Sequence, residues 1–446
     1  MTAKRQLRLA AFIYSGQTSQ AWRHPDISAH DRLDIDYFVD YAKTAEAGLF
    51  DTLFLADSTI VPKAPDHVLE AMWSVSQFEP VTLMSHLAAH TSHIGLTYTA
   101  SVSDNDPSLL ARQAASLDHV SKGRAGWNLV TSNGPSTARL GLSEDEDHDL
   151  RYERAYGFHQ ATTALWDSFE DDAFIVDKAR GVYLDVTKLH RPHLDGRWYK
   201  VTEPLRIGRP PQGYPVIAQA GSSPAGRDFG ARIADTMFCS NLTLEGAQAF
   251  YKDVKQRAVN HGRHPDDIKI ITGTGVIWAP TRAEAEEKAD IIAALHPIDV
   301  AVRNLGINMD GYDLDGPFPT ENRNPPERSA GRAKVITDYA VANGWTIRQA
   351  AQRLASTLTH RLVTGTTTDI ADQIEEWFEA GAADGFVIMS PFLLNGFRDF
   401  VTHVVPELQR RGLYRTAYEG RTLRENLGLK RPPNQYLARH SVAAAE

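Results

Sequence analysis

Eight short apolar runs recur along the chain, and helical spacing follows each of them. The runs cover residues 7–14, 52–56, 94–101, a fourth ending at Leu129-Val130, then 216–219, 236–240, 268–278 and 385–389. Helical spacing covers 34–47, 80–90, 107–122, 152–169, 224–234, 244–261, 281–295, 333–357, 369–380 and 398–410. A strand covered on both faces reads as a continuous apolar run, and strands alternating with helices imply parallel βαβ units. Eight such units close into a (β/α)8 barrel, the TIM-barrel class of α/β fold. A doubly wound open sheet also alternates strands and helices. It would carry a glycine-rich dinucleotide turn after its first strand, and Ser15-Gly16-Gln17 is not G-x-G-x-x-G.

The length, 446 residues, matches two or three average domains, yet barrels run long as single units. We therefore read 1–446 as one domain. Polar stretches containing Pro and Gly interrupt the rhythm at about 182–213 and 297–345, after strands four and seven. Both are expected on the face where barrel chemistry occurs, as walls or a lid. The polar tail from Lys430 is expected to be loosely held or used in subunit contact. The net charge is −9 and no basic run occurs, which argues against nucleic acid or an anionic membrane surface as partner. A single cysteine, Cys239, fits a reducing compartment and reads as a buried strand residue. No apolar segment is long enough to span a membrane and no signal peptide is visible, so a cytoplasmic location is expected.

Polar residues at the carboxyl ends of barrel strands face the reaction site. Asn128, Thr131 and Ser132 flank the end of the fourth run. Asn128 offers a donor and an acceptor on one rigid amide, suited to a heterocycle; the other two are strand caps or pocket residues. Asp57 ends the second strand and either caps the next loop or accepts a hydrogen bond from a bound ring. Thr99, Ser101 and Ser103 alternate at the end of the third, so they share one face. Gly221-Ser222-Ser223-Pro224 opens a helix, with Ser223 suited to the N-cap and Pro224 to the first turn. Free N–H groups and hydroxyls there can hold a phosphate or simply cap the helix. Arg227, one turn on, is a phosphate ligand or a surface charge. Trp22, Arg23 and His24 are loop candidates for a substrate pocket. His86, His90 and His93 lack the H-E-x-x-H pattern and a second cluster, so no metal site is assigned.

The run G-R-A-G-W-N-L-V-T-S at 123–132 occurs with A-W-R-H-P at 21–25, F-L-A-D at 54–57 and R-Y-E-R-A at 151–155. Q-A-G-S-S-P at 219–224 and G-A-A-D-G-F at 381–386 follow in order. Together they resemble the bacterial-luciferase-like flavin monooxygenases, in the branch holding nitrilotriacetate, dibenzothiophene-sulfone and long-chain alkane monooxygenases. The resemblance implies the oxygenase component of a two-component system. Reduced FMN would come from a separate NAD(P)H:FMN reductase, and one atom of O2 would enter a small organic substrate. It implies FMN contacts at Asp57, Thr99, Ser101, Asn128, Tyr152, Gln219, Gly221, Ser222 and Ser223, with Tyr152 and the two serines at the phosphate and ribityl chain. Asn128, beside the reactive edge, Ser101 and His24 would be the catalytic set, and the protein a homodimer or homotetramer. A deazaflavin-dependent oxidoreductase on the same barrel and a non-catalytic flavin-binding protein remain alternatives. Sulfones, aminopolycarboxylates, alkanes and haloaromatics all stay open as substrates.

Overall fold

A computed structural model describes residues 5–13, 20–25, 27, 33–61, 65–131, 148–320 and 330–437. Ser15-Gly16-Gln17 and Ser132 lie outside the described residues. Eight parallel strands form a closed barrel: β1 (Arg8–Ile13), β2 (Thr52–Leu55), β3 (Gly95–Ser101), β4 (Ala125–Val130), β5 (Val216–Gln219), β6 (Thr236–Cys239), β7 (Lys269–Trp278) and β8 (Gly385–Met389). Each pairs with the next, and β8 closes onto β1 with Gly385 beside Arg8.

Alternation decides what each face holds. On the inside, Ala10, Phe12, Phe54, Ala218, Ile271, Val387 and Met389 form one cluster. The Phe12, Phe54 and Phe238 rings meet with centroids 5.6–6.5 Å apart and fill the barrel. Trp127 and Leu129 point the other way, into the helical shell, where the Trp127 ring meets Phe158 and Trp166. Between them, Asn128 sits in register with Thr99 and Ala218, so it faces inward.

The shell begins with α1 (Ile35–Ala47), α2 (Pro80–His90), α3 (Pro107–Val120), α4 (His148–Trp166), α5 (Pro224–Ile233) and α6 (Leu244–Asn260). Three of these start with one local device. Glu79, Asp106 and Ser223 accept backbone N–H groups of the first turn, and proline follows each. Proline lacks the N–H that would otherwise be orphaned there.

Beyond β7 the architecture departs from the expected order. Helix α7 (Arg282–Ala294) is not the helix that runs back along the barrel. Its Ile292 packs with Ala21, Ile27, Phe392 and Leu393, from the loops after β1 and β8, so it stays at the carboxyl end. An additional strand, Arg361–Gly365, pairs in parallel with Thr274–Trp278, above the part of β7 that pairs with β6. The returning helix is Thr367–Glu379, which leads into β8. The second insert therefore spans 279–366 rather than 297–345 and includes α7. Its helical stretch is two helices, Ala330–Ala342 and Ile347–Ser356, parted at Gly344 (φ 65°) and restarted by a Thr346–Gln349 capping box. Five residues of strand after a helix carry too little periodicity to stand out; only the long β7 edge makes them a strand.

The first insert is also placed differently, because it follows a helix rather than a strand. Arg209 bonds Asp167 and the Pro432 carbonyl, and Gln212 bonds Asp118 and the Ala125 carbonyl at the amino end of β4. Its body thus lies at the end of the barrel away from Asn128. Only the hairpin of Leu194–Asp195 and Lys200–Val201 climbs α4, with Arg197 and Trp198 on Glu153.

The tail is anchored rather than loose as far as Leu437. Arg431 pairs with Asp171, and buried Asn434 bonds the carbonyls of Asp167 and Phe169. Leu423, fully buried, closes the amino end of the barrel. A Cβ built on Gly95 would lie 2.5 Å from its Cδ1, and one on Gly126 would lie 3.4 Å from its Cδ2. Leu423→Ala is expected to cost about 2–5 kcal/mol, because the glycines that admit the side chain cannot fill its space. Urea unfolding of variant and parent measures this; a loss below about 1 kcal/mol would show that the plug is dispensable.

Candidate active site

The carboxyl end of the barrel carries polar side chains above the Phe12, Phe54 and Phe238 floor. Asn128 Nδ2 donates to Thr99 Oγ1 at 3.0 Å, and Thr99 Oγ1 donates to the Leu55 carbonyl at 2.8 Å. Asn128 is buried, and its Oδ1 meets no hydrogen-bond donor among the described residues. Thr99 and Ser101 line one cleft with Asp57, Glu79, Tyr98 and Asn105. Asp57 accepts from Gln77 Nε2, which holds its carboxylate at the cleft. Ser101 Oγ accepts the Ser103 N–H at 3.1 Å, and Ser103 Oγ accepts from Arg154 Nη2 at 3.1 Å.

Helix α4 then carries the site across to β5. Tyr152 lies in its second turn, over a cradle formed by two glycines. A Cβ on Gly226 would lie 2.6 Å from Tyr152 Oη, and one on Gly221 would lie 2.9 Å away. Gln219 Oε1 accepts the Gly221 N–H at 2.6 Å and shapes this turn. Ser223 caps α5 by accepting the Gly226 N–H at 3.1 Å, while Ser222 is exposed. Tyr152 thus adjoins the glycine turn that carries Ser222 and Ser223 into the N-terminus of α5, a combination suited to a phosphate monoester. Arg227 is not a free cation here. It pairs with Asp253 of α6 and lies over the Phe250 ring.

The structure thus brings Asp57, Thr99, Ser101 and Asn128 together on the β2–β4 side, and Tyr152, Gln219, Gly221, Ser222 and Ser223 on the β5 side. His24 stands apart. Its ring meets Phe392, with centroids 4.9 Å apart, while Trp22 and Arg23 bond the Ala71 and Leu295 carbonyls. These contacts place the loop at the rim formed by β1, β8 and the second insert. Cys239 is buried on the outer side of β6, and burial pushes its thiol up to about 11. Two histidines at the amino end of the barrel are held structurally: His93 stacks on Tyr418, and His190 pairs with Glu170 at 2.8 Å.

Three residues at the site escaped sequence reasoning. Arg154 lies in the quoted R-Y-E-R-A segment, and its one-turn spacing from Arg151 was the available signal. Gln77 had none. His360 is buried with its ring 5.2 Å from Phe238, beside Gly273, where a Cβ would lie 2.4 Å from Nδ1. Glycine inside a strand marks such close approach, so Gly273 in β7 was the readable half of this pair.

Comparison with known proteins agrees with this geometry. The model of the luciferase-like monooxygenase family matches residues 12–384. The chain is 42% identical over 442 residues to N-acetyl-S-(2-succino)cysteine monooxygenase of Bacillus subtilis (strain 168), covering 97% of this chain and 99% of that protein. It is likewise 42% identical over 448 residues to nitrilotriacetate monooxygenase component A of Aminobacter aminovorans, covering 97% and 99%. A crystal structure of riboflavin lyase with modified FMN and riboflavin superposes with a TM-score of 0.81 at 30% identity, covering 96% of this chain and 97% of that one. Family model, full-length similarity and shared barrel converge: this chain is an enzyme of the luciferase-like monooxygenase family.

Proposed function

We propose that the chain is the oxygenase component of a two-component FMN-dependent monooxygenase. It would take reduced FMN from a separate NAD(P)H:FMN reductase and act as a homodimer or homotetramer. The observation that carries this reading is the buried Asn128 amide oxygen on the β4 side, to which no described residue donates. On the β5 side, Tyr152 packs closely on Gly221 and Gly226 at the start of α5, where a helix N-terminus favours a phosphate. Asp57, Thr99, Ser101 and Asn128 would hold the ring, and Tyr152, Ser222 and Ser223 the phosphate and ribityl chain, with Gln219 and Gly221 shaping the turn. Bound reduced flavin supplies the electrons and the oxygen-activating centre. The chain's own work is to position that ring, keep water out above the phenylalanine floor, and present a substrate. The second insert, from 279 to 366, walls the mouth together with the His24 loop. Two relatives named above act on molecules rich in carboxylates, so small polycarboxylates bearing a C–N or C–S bond form the first substrate class to test.

The test is an anaerobic titration with reduced FMN, followed by oxygenated buffer and a candidate panel, read by mass spectrometry. A product heavier by one oxygen atom, labelled from 18O2, is the expected result. Flavin binding without oxygen incorporation, with hydride transfer instead, would overturn the monooxygenase reading.

Replacing both Ser222 and Ser223 by Ala is expected to weaken FMN binding far more than riboflavin binding. Each lost hydrogen bond to a charged group costs about 1.5–3 kcal/mol. Loss of the Ser223 cap affects both ligands alike, so the difference between them isolates the phosphate. Equal losses would place the phosphate elsewhere.

A further inference from the structure

We infer that the hairpin following α4, residues 173–186, is a surface that docks a second copy of this chain. The inference rests on the homo-oligomer reading and says which face joins the protomers. Fifteen large apolar side chains are well exposed among the described residues, and five of them lie on this one hairpin. They are Phe174, Ile175, Val176, Tyr183 and Val186, which are 41–72% exposed. Three backbone hydrogen bonds shape the hairpin. Asp177 and Val182 exchange two, at 2.7 and 3.0 Å, and the Val176 N–H donates to the Tyr183 carbonyl at 3.1 Å. The Phe174 ring stands over Gly208, where a Cβ would lie 3.1 Å from it, and meets Phe169 and Tyr183 with centroids 5.1 and 5.9 Å apart. Val176 takes φ 51°, a conformation that glycine or asparagine adopts far more readily than a β-branched residue. Local conformation thus gives no reason for an exposed valine there.

Area and charge together point to the occupant. At roughly 200 Å² for a large side chain, these exposures leave on the order of 500 Å² of apolar surface in one patch. Apolar patches of that size with a polar rim mark protein–protein contacts. A standard interface takes about 800 Å² from each partner, core and rim together, so the hairpin supplies the core of one. The chain carries a net charge of −9, and two copies repel wherever that charge is unmatched. At the border of this patch, Asp171, Asp172 and Asp177 are paired with Arg431, Lys188 and Arg180 of the same protomer. An apolar face whose bordering carboxylates are already neutralised can meet its own copy across a two-fold axis, the arrangement of a closed dimer. A strongly acidic or basic partner would find no complement in it. The hairpin adjoins Gly208, whose carbonyl contacts His119 near the end of α3. It therefore lies at the amino end, and docking there leaves the barrel mouth open to flavin and substrate.

The test is the mass of the full-length protein in solution, read by light scattering over a wide range of concentration. Wild type is compared with the double variant Tyr183→Glu, Val186→Glu and with Leu109→Glu, a comparably exposed site on α3. Wild type is expected to be a dimer or tetramer. The double variant should drop by one level of assembly, its dissociation constant raised about 100-fold as two charges enter an apolar contact. Leu109→Glu should assemble like wild type. Both hairpin side chains face water in the protomer, so the variant is expected to fold, and circular dichroism checks this. Should the glutamates hinder folding, Tyr183→Ser with Val186→Ser should weaken assembly in the same direction. Unchanged assembly in the folded variants, or equal loss in Leu109→Glu, would overturn the hairpin as the contact and leave the oligomer reading intact. A wild type that is monomeric at every concentration overturns both. Assembly that appears only after residues 438–446 are deleted would assign the patch to the chain's own end, and overturns the inference too.

Discussion

Asn128→Ala is expected to lower oxygenated product per reduced flavin consumed by about 10²–10³-fold, with FMN still bound. The side chain faces the barrel interior, is 4% exposed, and sits above the aromatic floor where a ring would lie. A preorganised polar group used as charge develops contributes about 2.7–4 kcal/mol. Nothing in the Tyr152, Gly221 and Gly226 cradle depends on this amide, so the anchor for the phosphate survives. Reduced flavin should then oxidise unproductively, and hydrogen peroxide should rise as product falls. The competing role is purely structural, since Asn128 also ties β4 to β3 through Thr99. Turnover normalised to folded, FMN-bound enzyme separates the two. A value near wild type would remove Asn128 from the chemistry.

Asp51→Ala, at the other end of the barrel, should destabilise the protein by about 3–5 kcal/mol. Asp51 is a node where four segments meet. Its backbone N–H donates to the Leu9 carbonyl and its carbonyl accepts from the Gly95 N–H, joining β1, β2 and β3. Its carboxylate accepts the Leu9 N–H at 2.8 Å and pairs with Arg415, whose side chain is as deeply buried as its own. Arg8 lies 3.8 Å away on the same oxygen. Removing the carboxylate leaves two arginines facing each other in a site where burial already lowers the Arg8 pKa. Domains of this kind have about 5–15 kcal/mol in total, so such a loss is a large share of the stability. Denaturant unfolding provides the measurement, and Asp51→Asn, whose single amide oxygen can replace only one of the two accepting carboxylate oxygens, should fall between. A cost under about 1 kcal/mol for Asp51→Ala would mean that water reaches the arginines.

The sequence by itself determined the barrel and most of the polar residues at its mouth. Each barrel strand is buried on both faces, so its apolar run is continuous, and each run sits between helical stretches with their own caps. That information is local and survives in one dimension. The helix start that we propose for the phosphate was legible for the same reason: Ser223-Pro224 announces it, and a helix start is where backbone N–H groups are left over. Other features were decided only in three dimensions. Arg361–Gly365 becomes a strand because β7 is long enough to offer an edge above β6, which no feature of those five residues encodes. The first insert descends to the amino end because it follows a helix, whose direction is set by the barrel rather than by composition. Arg415 and Leu423 look like ordinary tail residues until folding brings Asp51, Gly95 and Gly126 under them. The orientation of the Asn128 amide is the sharpest case. Its chemistry is written in one letter, but which end faces inward depends on Thr99 and Leu55, 29 and 73 residues away along the chain, because donors and acceptors are paired off only once the strands lie side by side.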